Sequence, residues 1–313
     1  MYLQGELIST MKHRPLLRPL AATVAATTAA SLVACSDDGG GSRSGSPDVL
    51  ATFTIVADIA QEVAGEHLTV ESLTRPGAEV HGYDPTPGDI RSAVDAEIIL
   101  SNGLGLEDWI EKLTADSDAT RVTVTEGIEP ISIEGSDAPN PHAWMSPHLV
   151  KTYVDNIVEA FSDHSPENAD DFRDNAEDYK AELDDVQQTL EDGLSHLPEN
   201  QRALQTCEGA FSYLTRDAGL TESYIWAVNS DEEITPSQIR RAASFVNDND
   251  VPAVFCESTV DPGPKEQLIR DTGAADGGTL YVDSLTDADG EAPTYLDLIR
   301  HDTDTIVAGL GGR

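Results

Sequence analysis

The chain has 313 residues, long enough for two domains and a sizeable core, and its 39% hydrophobic and 24% charged residues are the balance of a soluble globular protein. Acidic residues number 57 against 19 basic ones, a formal net charge of -38, which argues against nucleic acid and anionic membrane surfaces as partners and fits metal cations or a solvated surface in salty surroundings equally well. Three cysteines are too few for a disulfide scaffold or a zinc finger.

Lys12, Arg14 and Arg18 form a basic start, and Leu20 to Ala34 follows as a small, apolar and uncharged stretch. This is the layout of an export signal, and the stretch is shorter than the roughly 20 apolar residues of a membrane span. Met11, just ahead of the basic cluster, is a candidate start alongside Met1. The signal ends Leu32-Val33-Ala34-Cys35, which resembles a bacterial lipobox, and a Gly/Ser-rich run follows to Pro47. The expectation is a signal peptide over 1–34, a lipid on Cys35, and a flexible tether over 35–49.

Beyond the tether, strand-like and helix-like stretches alternate. Residues 50–56 read as a buried strand, 58–65 as a helix, 68–73 as a strand, 89–93 as a helix start and 97–101 as a strand. A long polar helix is expected over 165–197, with Ser165 as its cap and Pro166 in the first helical position. Phe172, Ala176, Tyr179, Leu183, Val186, Leu190 and Leu194 give it one apolar stripe. Strands then follow at 202–206, 224–228, 253–256 and 280–282, and helices at 209–218, 236–247, 263–271 and 295–310. Alternation of this kind implies an α/β protein with parallel sheets. The expected division is an N-terminal lobe over 50–164, a rigid linking helix over 165–197 and a C-terminal lobe over 198–313.

Four places carry chemistry, each at a strand end or just beyond, where open α/β sheets hold their ligands. His81 stands in the Pro-Gly-Ala-Glu-Val-His-Gly-Tyr-Asp-Pro-Thr-Pro loop at 76–87, and His142 in the proline-braced Asn-Pro-His-Ala-Trp-Met-Ser-Pro stretch at 140–147. Glu208 lies between a strand and a helix, and Asp283 just past a strand. Singly, each has a bland reading: a surface histidine or a helix cap. Together, two imidazoles and two carboxylates offer nitrogen and oxygen donors without thiolate, and the carboxylates balance a divalent charge in a buried site. Such a set suits manganese or iron better than a tetrahedral sulfur-rich set would.

These motifs, with Asn102-Gly103-Leu104-Gly105-Leu106-Glu107 and Trp109, Pro141-His142-Ala143-Trp144, Glu208-Gly209-Ala210-Phe211 and Asp283-Ser284-Leu285, resemble the manganese/zinc-type solute-binding lipoproteins of bacterial ABC importers, including the lipoprotein adhesins. The resemblance covers the chain from Thr52 to its end. It implies two α/β lobes, each a parallel sheet flanked by helices, joined by a single long rigid helix with the metal between them. It implies as ligands His81 and His142 from one lobe and Glu208 and Asp283 from the other. The implied function is capture of a divalent metal outside the cytoplasm by a monomeric, membrane-anchored lipoprotein that hands it to an ABC permease and its ATPase. The chain departs from the family at Gly82, often polar or acidic there, and at Asn140, often Asp. Zinc members commonly have histidine at the third ligand and a histidine-rich loop before the second. Glu208 and the histidine-free stretch 127–140 therefore point to Mn2+, or Fe2+, over Zn2+.

Two rival classes remain: a metal-dependent hydrolase and a pure adhesin. No HExxH motif, nucleophile context or phosphate loop supports an enzyme. Cys207 and Cys256 are either a disulfide or two buried thiols. His67, His148, His164, His196 and His301 read as surface residues, Trp144 and Trp226 as packing near the cleft, and Glu232-Glu233 as a helix-start signal.

Overall fold

The computed structural model describes residues 47–228 and 234–311. The expected signal, the lipobox cysteine Cys35 and most of the tether lie outside the described residues, as do Glu232 and Glu233. Among the described residues no helix is long and apolar enough to cross a membrane.

The first half runs β1 (Val49–Ala51), α1 (Thr54–Ala64), β2 (Val70–Ser72), α2 (Pro87–Asp95), β3 (Ile98–Ser101), α3 (Ile110–Leu113), β4 (Thr120–Thr123) and α4 (Pro147–His164). Its four strands form one parallel sheet in the order β2-β1-β3-β4. Side chains alternate across it: Val49, Ala51, Ile98 and Leu100 face the main core, whereas Leu50 and Ile99 face a smaller cluster with Ala93, Ala96 and Leu113. The expected strand over 50–56 is therefore too long. Thr54 to Val56, just past the N-cap Phe53, is the buried start of α1, because a short apolar run reads the same for a buried strand and a buried helix.

α5 (Ala169–Leu194) follows, with 26 residues and a length of about 39 Å. The seven stripe residues named above are all buried, and α1, α4 and α9 (Tyr295–Leu310) pack against the helix. Its start differs from expectation. Pro166–Asn168 form a 3-10 turn, Ser165 caps nothing with its side chain, and the α-helix begins at Ala169.

The second half runs β5 (Ala203–Glu208), α6 (Ser212–Ala218), β6 (Thr221–Trp226), α7 (Pro236–Asp248), β7 (Ala253–Glu257), α8 (Gly263–Thr272) and β8 (Ala275–Leu280), ending in α9. Its strands are parallel but form two ladders, β5 with β6 and β7 with β8. The wholly buried β5 and β7 meet at a seam. There Cys207 and Cys256 form a disulfide with Cα atoms 4.9 Å apart, the spacing of neighbouring strands. Of the two readings of these cysteines, the disulfide is the one observed.

Helix starts follow local chemistry. Thr86 and Thr235 build capping boxes with Asp89 and Gln238 ahead of Pro87 and Pro236. Ser146 and Thr294 accept from the backbone N–H of Leu149 and Asp297.

Candidate metal centre

All four expected site residues stand at the C-terminal ends of strands or in the loops that follow. His81 rides on the loop from β2 to α2. The root of that loop is Gly77, whose φ of 75° is a conformation glycine tolerates. The Gly77 N–H donates to Leu285 O at 3.1 Å and Ser284 Oγ at 2.8 Å, tying the loop to the second half. Nearer the tip, the Glu79 carboxylate accepts from the N–H of His81 and of Gly82 at 2.8 and 2.9 Å.

His142 precedes a short 3-10 turn, Ala143–Met145. Its N–H and its Nδ1 lie 3.1 and 2.8 Å from Asn140 Oδ1. Trp144, two residues on, donates from Nε1 to Val282 O at 2.8 Å, and its own carbonyl accepts from Tyr295 Oη–H at 2.6 Å. The loop bearing His142 is thereby bonded to the loop bearing Asp283.

Glu208 is the last residue of β5, and α6 begins only at Ser212, so the expected strand-to-helix junction is displaced by one short loop. Its N–H donates to both carboxylate oxygens of Glu257, each at 3.2 Å. Glu257 ends β7 as Glu208 ends β5, and the same strand-end rule would have singled it out in the sequence. Gly209 follows because a Cβ there would stand 2.4 Å from Ala227 O. Asp283 lies three residues past β8, whose end at Leu280 comes earlier than expected. Thr259 Oγ1 donates to Asp283 Oδ2 at 3.3 Å.

These loops bring the donors together. The Nε2 atoms of His81 and His142 are 3.1 Å apart. Each lies 3.6 Å from Asp283 Oδ1, a buried oxygen with no hydrogen-bond partner among the described residues. Two nitrogens about 2.1 Å from one ion and at right angles to each other would be about 3.0 Å apart, so the imidazole pair has the spacing of two ligands on one cation. His81, His142 and Asp283 offer atoms within 4.8 Å of one another. Glu208 stands outside that group and meets it at His142, with Oε1 3.7 Å from Nε2. The side chains of His142, Glu208 and Asp283 are wholly buried, and that of His81 is 13% exposed.

The electrostatics of the cluster set its two imidazoles apart. Burial pushes His142 down to about 4, so its ring is neutral near pH 7. Burial would lower His81 too, but Asp283, Glu208 and Glu79 outweigh it and raise its pKa above the usual imidazole value. Asp283 is opposed by burial, yet the two imidazoles hold it well below the usual carboxylate range. Burial pushes Glu257 up to about 8, which keeps a further negative charge out of the site at neutral pH.

Of the other histidines, His67, His148, His164 and His196 are exposed and His301 half-buried, bonded to Thr279 O. Trp144 is fully buried, its ring centroid 4.9 Å from that of His142.

The zinc-uptake complex component A (periplasmic) family matches residues 49–309. The iron-binding protein YfeA of Yersinia pestis is 43% identical over 267 residues, 84% of this chain and 86% of that one. The manganese-binding lipoprotein MntA of Halalkalibacterium halodurans is 34% identical over 276 residues, 88% and 90% of the two chains. Among solved structures, the Mn-bound periplasmic metal-binding protein of Candidatus Liberibacter asiaticus superposes with a TM-score of 0.80 at 37% identity, over 84% of this chain and 98% of that one. The periplasmic zinc-binding protein TroA of Treponema pallidum gives a TM-score of 0.78 at 28% identity, over 85% and 99%. Extent and identity together show that the chain belongs to the zinc-uptake component A family and is an extracytoplasmic, non-enzymatic substrate-binding protein of a metal ABC importer.

Proposed function

We propose that His81, His142, Glu208 and Asp283 together bind one divalent metal ion, manganese first and iron second, as the cargo of the importer. The observation that carries this is the pair of Nε2 atoms 3.1 Å apart, both facing Asp283 Oδ1, which has no hydrogen-bond partner among the described residues. Two carboxylates neutralise a divalent charge away from water, and each can chelate through two oxygens, raising coordination above four. That ligand count favours manganese and iron over zinc, and the names of the Yersinia and Halalkalibacterium relatives support the same pair.

On this reading residues 50–164 supply the histidines, 198–313 the carboxylates, and 165–197 the rigid connection. Neither half holds more than two ligands, so each alone binds weakly and the halves together form the chelate. His81, the one partly exposed ligand, guards the route of entry and release. Release goes to a membrane permease driven by its ATPase, and a lipid on Cys35 keeps the protein beside it.

Competition titration of purified protein with Mn2+, Fe2+ and Zn2+, with single alanine variants of the four residues, tests the proposal. Each variant should lose Mn2+ affinity. Undiminished binding in His142→Ala or Asp283→Ala would remove the site, and a preference for Zn2+ that coordination number does not oppose would replace manganese by zinc.

A further inference from the structure

Asn140 is 2% exposed and lies between the two halves of the molecule. Its Oδ1 faces the backbone N–H of His142 at 3.1 Å and His142 Nδ1 at 2.8 Å. Its Nδ2 donates to the carbonyl of Gly209 at 2.7 Å and to Ser212 Oγ at 3.3 Å. These partners leave one consistent assignment of protons. A backbone N–H can only donate and a backbone carbonyl can only accept, so the amide oxygen must face His142 and the amide nitrogen Gly209. With the oxygen fixed as acceptor, His142 Nδ1 must carry a proton, and in the neutral ring the lone pair then sits on Nε2, which faces His81 and Asp283.

We propose that Asn140 is a positioning residue of the metal site that needs both ends of its amide: the oxygen sets the tautomer of His142, and the nitrogen latches that ligand to the loop of Glu208. This rests on the reading of His142 and Glu208 as ligands. The residues at the two ends of the latch are 69 apart in sequence, so the bond couples a ligand from each half. Aspartate could serve the first role but not the second, because a carboxylate has no proton to offer the Gly209 carbonyl and would set two oxygens against each other. Alanine could serve neither.

The two roles separate in a paired experiment. In metal-free, 15N-histidine-labelled protein at pH 8, the wild type and Asn140→Asp should both show His142 protonated at Nδ1, whereas Asn140→Ala should show a mixture of tautomers. With Mn2+ loaded and excess EDTA as trap, both variants should release the ion about tenfold faster or more, the scale of losses at residues that orient metal ligands. Release from Asn140→Asp at the wild-type rate would overturn the latch, and an unchanged tautomer in Asn140→Ala would overturn the orienting role. If Asn140→Ala does not fold, Asn140→Ser takes its place in the tautomer arm. His142→Ala, run alongside, tells failure of the site apart from failure of the latch, since only loss of the site lets that variant bind Mn2+ like the wild type.

Discussion

Proton competition should act on one imidazole of the site and not on both. His81 has a raised pKa in the metal-free protein, because Asp283, Glu208 and Glu79 outweigh its burial, whereas burial holds His142 at about 4. A ligand must be unprotonated to bind metal. A raised pKa means that His81 holds its proton at every pH below it, so affinity rises with pH up to that value and levels off above. His142 stays neutral down to about 4, and Asp283, already held ionised, offers no competition in this range. Between pH 6.5 and 5 the imidazole pair should therefore cost at most one proton, a loss of no more than about 30-fold in apparent Mn2+ affinity, where two competing imidazoles could give up to about 1,000-fold. The assay is titration of Mn2+ followed by the electron paramagnetic resonance signal of the free hydrated ion, at half-unit pH steps. In His81→Ala the affinity is lower throughout, but its pH dependence over this range should flatten. A thousand-fold loss in the wild type, or an unchanged slope in His81→Ala, would refute the assignment.

Replacing Cys35 by Ala should release the protein from the membrane fraction and remove a diacylglyceryl adduct from its intact mass; a lipid-free native mass would contradict this. Changing Glu208 to His exchanges an oxygen donor able to chelate for one nitrogen, and should shift the Mn2+/Zn2+ affinity ratio towards zinc in competition titrations. Burial pushes Glu222 up to about 7 from 4.5. Its contribution to stability is thus full below the unfolded value and is lost as pH rises through about 7. The melting temperature of the metal-free protein should fall between pH 5 and pH 8, and Glu222→Gln should reduce that fall, by at most about 3 kcal/mol of unfolding free energy.

Periodic apolar signals made much of the frame legible. All seven stripe residues of α5 are buried as their spacing requires, and α9 spans the expected residues. α4 carries the same signal, since Val150, Tyr153, Val154, Ile157 and Phe161 recur at helical spacing and are all buried. The four candidates stand out in the sequence because strand ends in α/β proteins collect ligands; His81, His142 and Asp283 come within 4.8 Å of one another, and Glu208 meets them at His142. What no local pattern encodes is the far partner of a polar group. That Asn140 reaches Gly209, Trp144 reaches Val282 and Tyr213 reaches back to Asn140 depends on how the halves dock. The same holds for the seam between β5 and β7, where strands that alternate regularly with helices nevertheless form two ladders.

That seam gives export a part in the folding of the C-terminal half. Backbone ladders zip β5 to β6 and β7 to β8, but the two pairs are joined to each other by side chains, chief among them the Cys207–Cys256 bridge across a 49-residue separation. Closing a loop of that size removes about 4 kcal/mol of chain entropy from the unfolded state, and the cytoplasm does not allow the bond to form. The sheet is thus finished by an oxidation that happens only after the chain has left the compartment where it was made. Protein produced in a reducing cytosol would lack the bridge next to Glu208, and its metal affinity would then report how it was prepared.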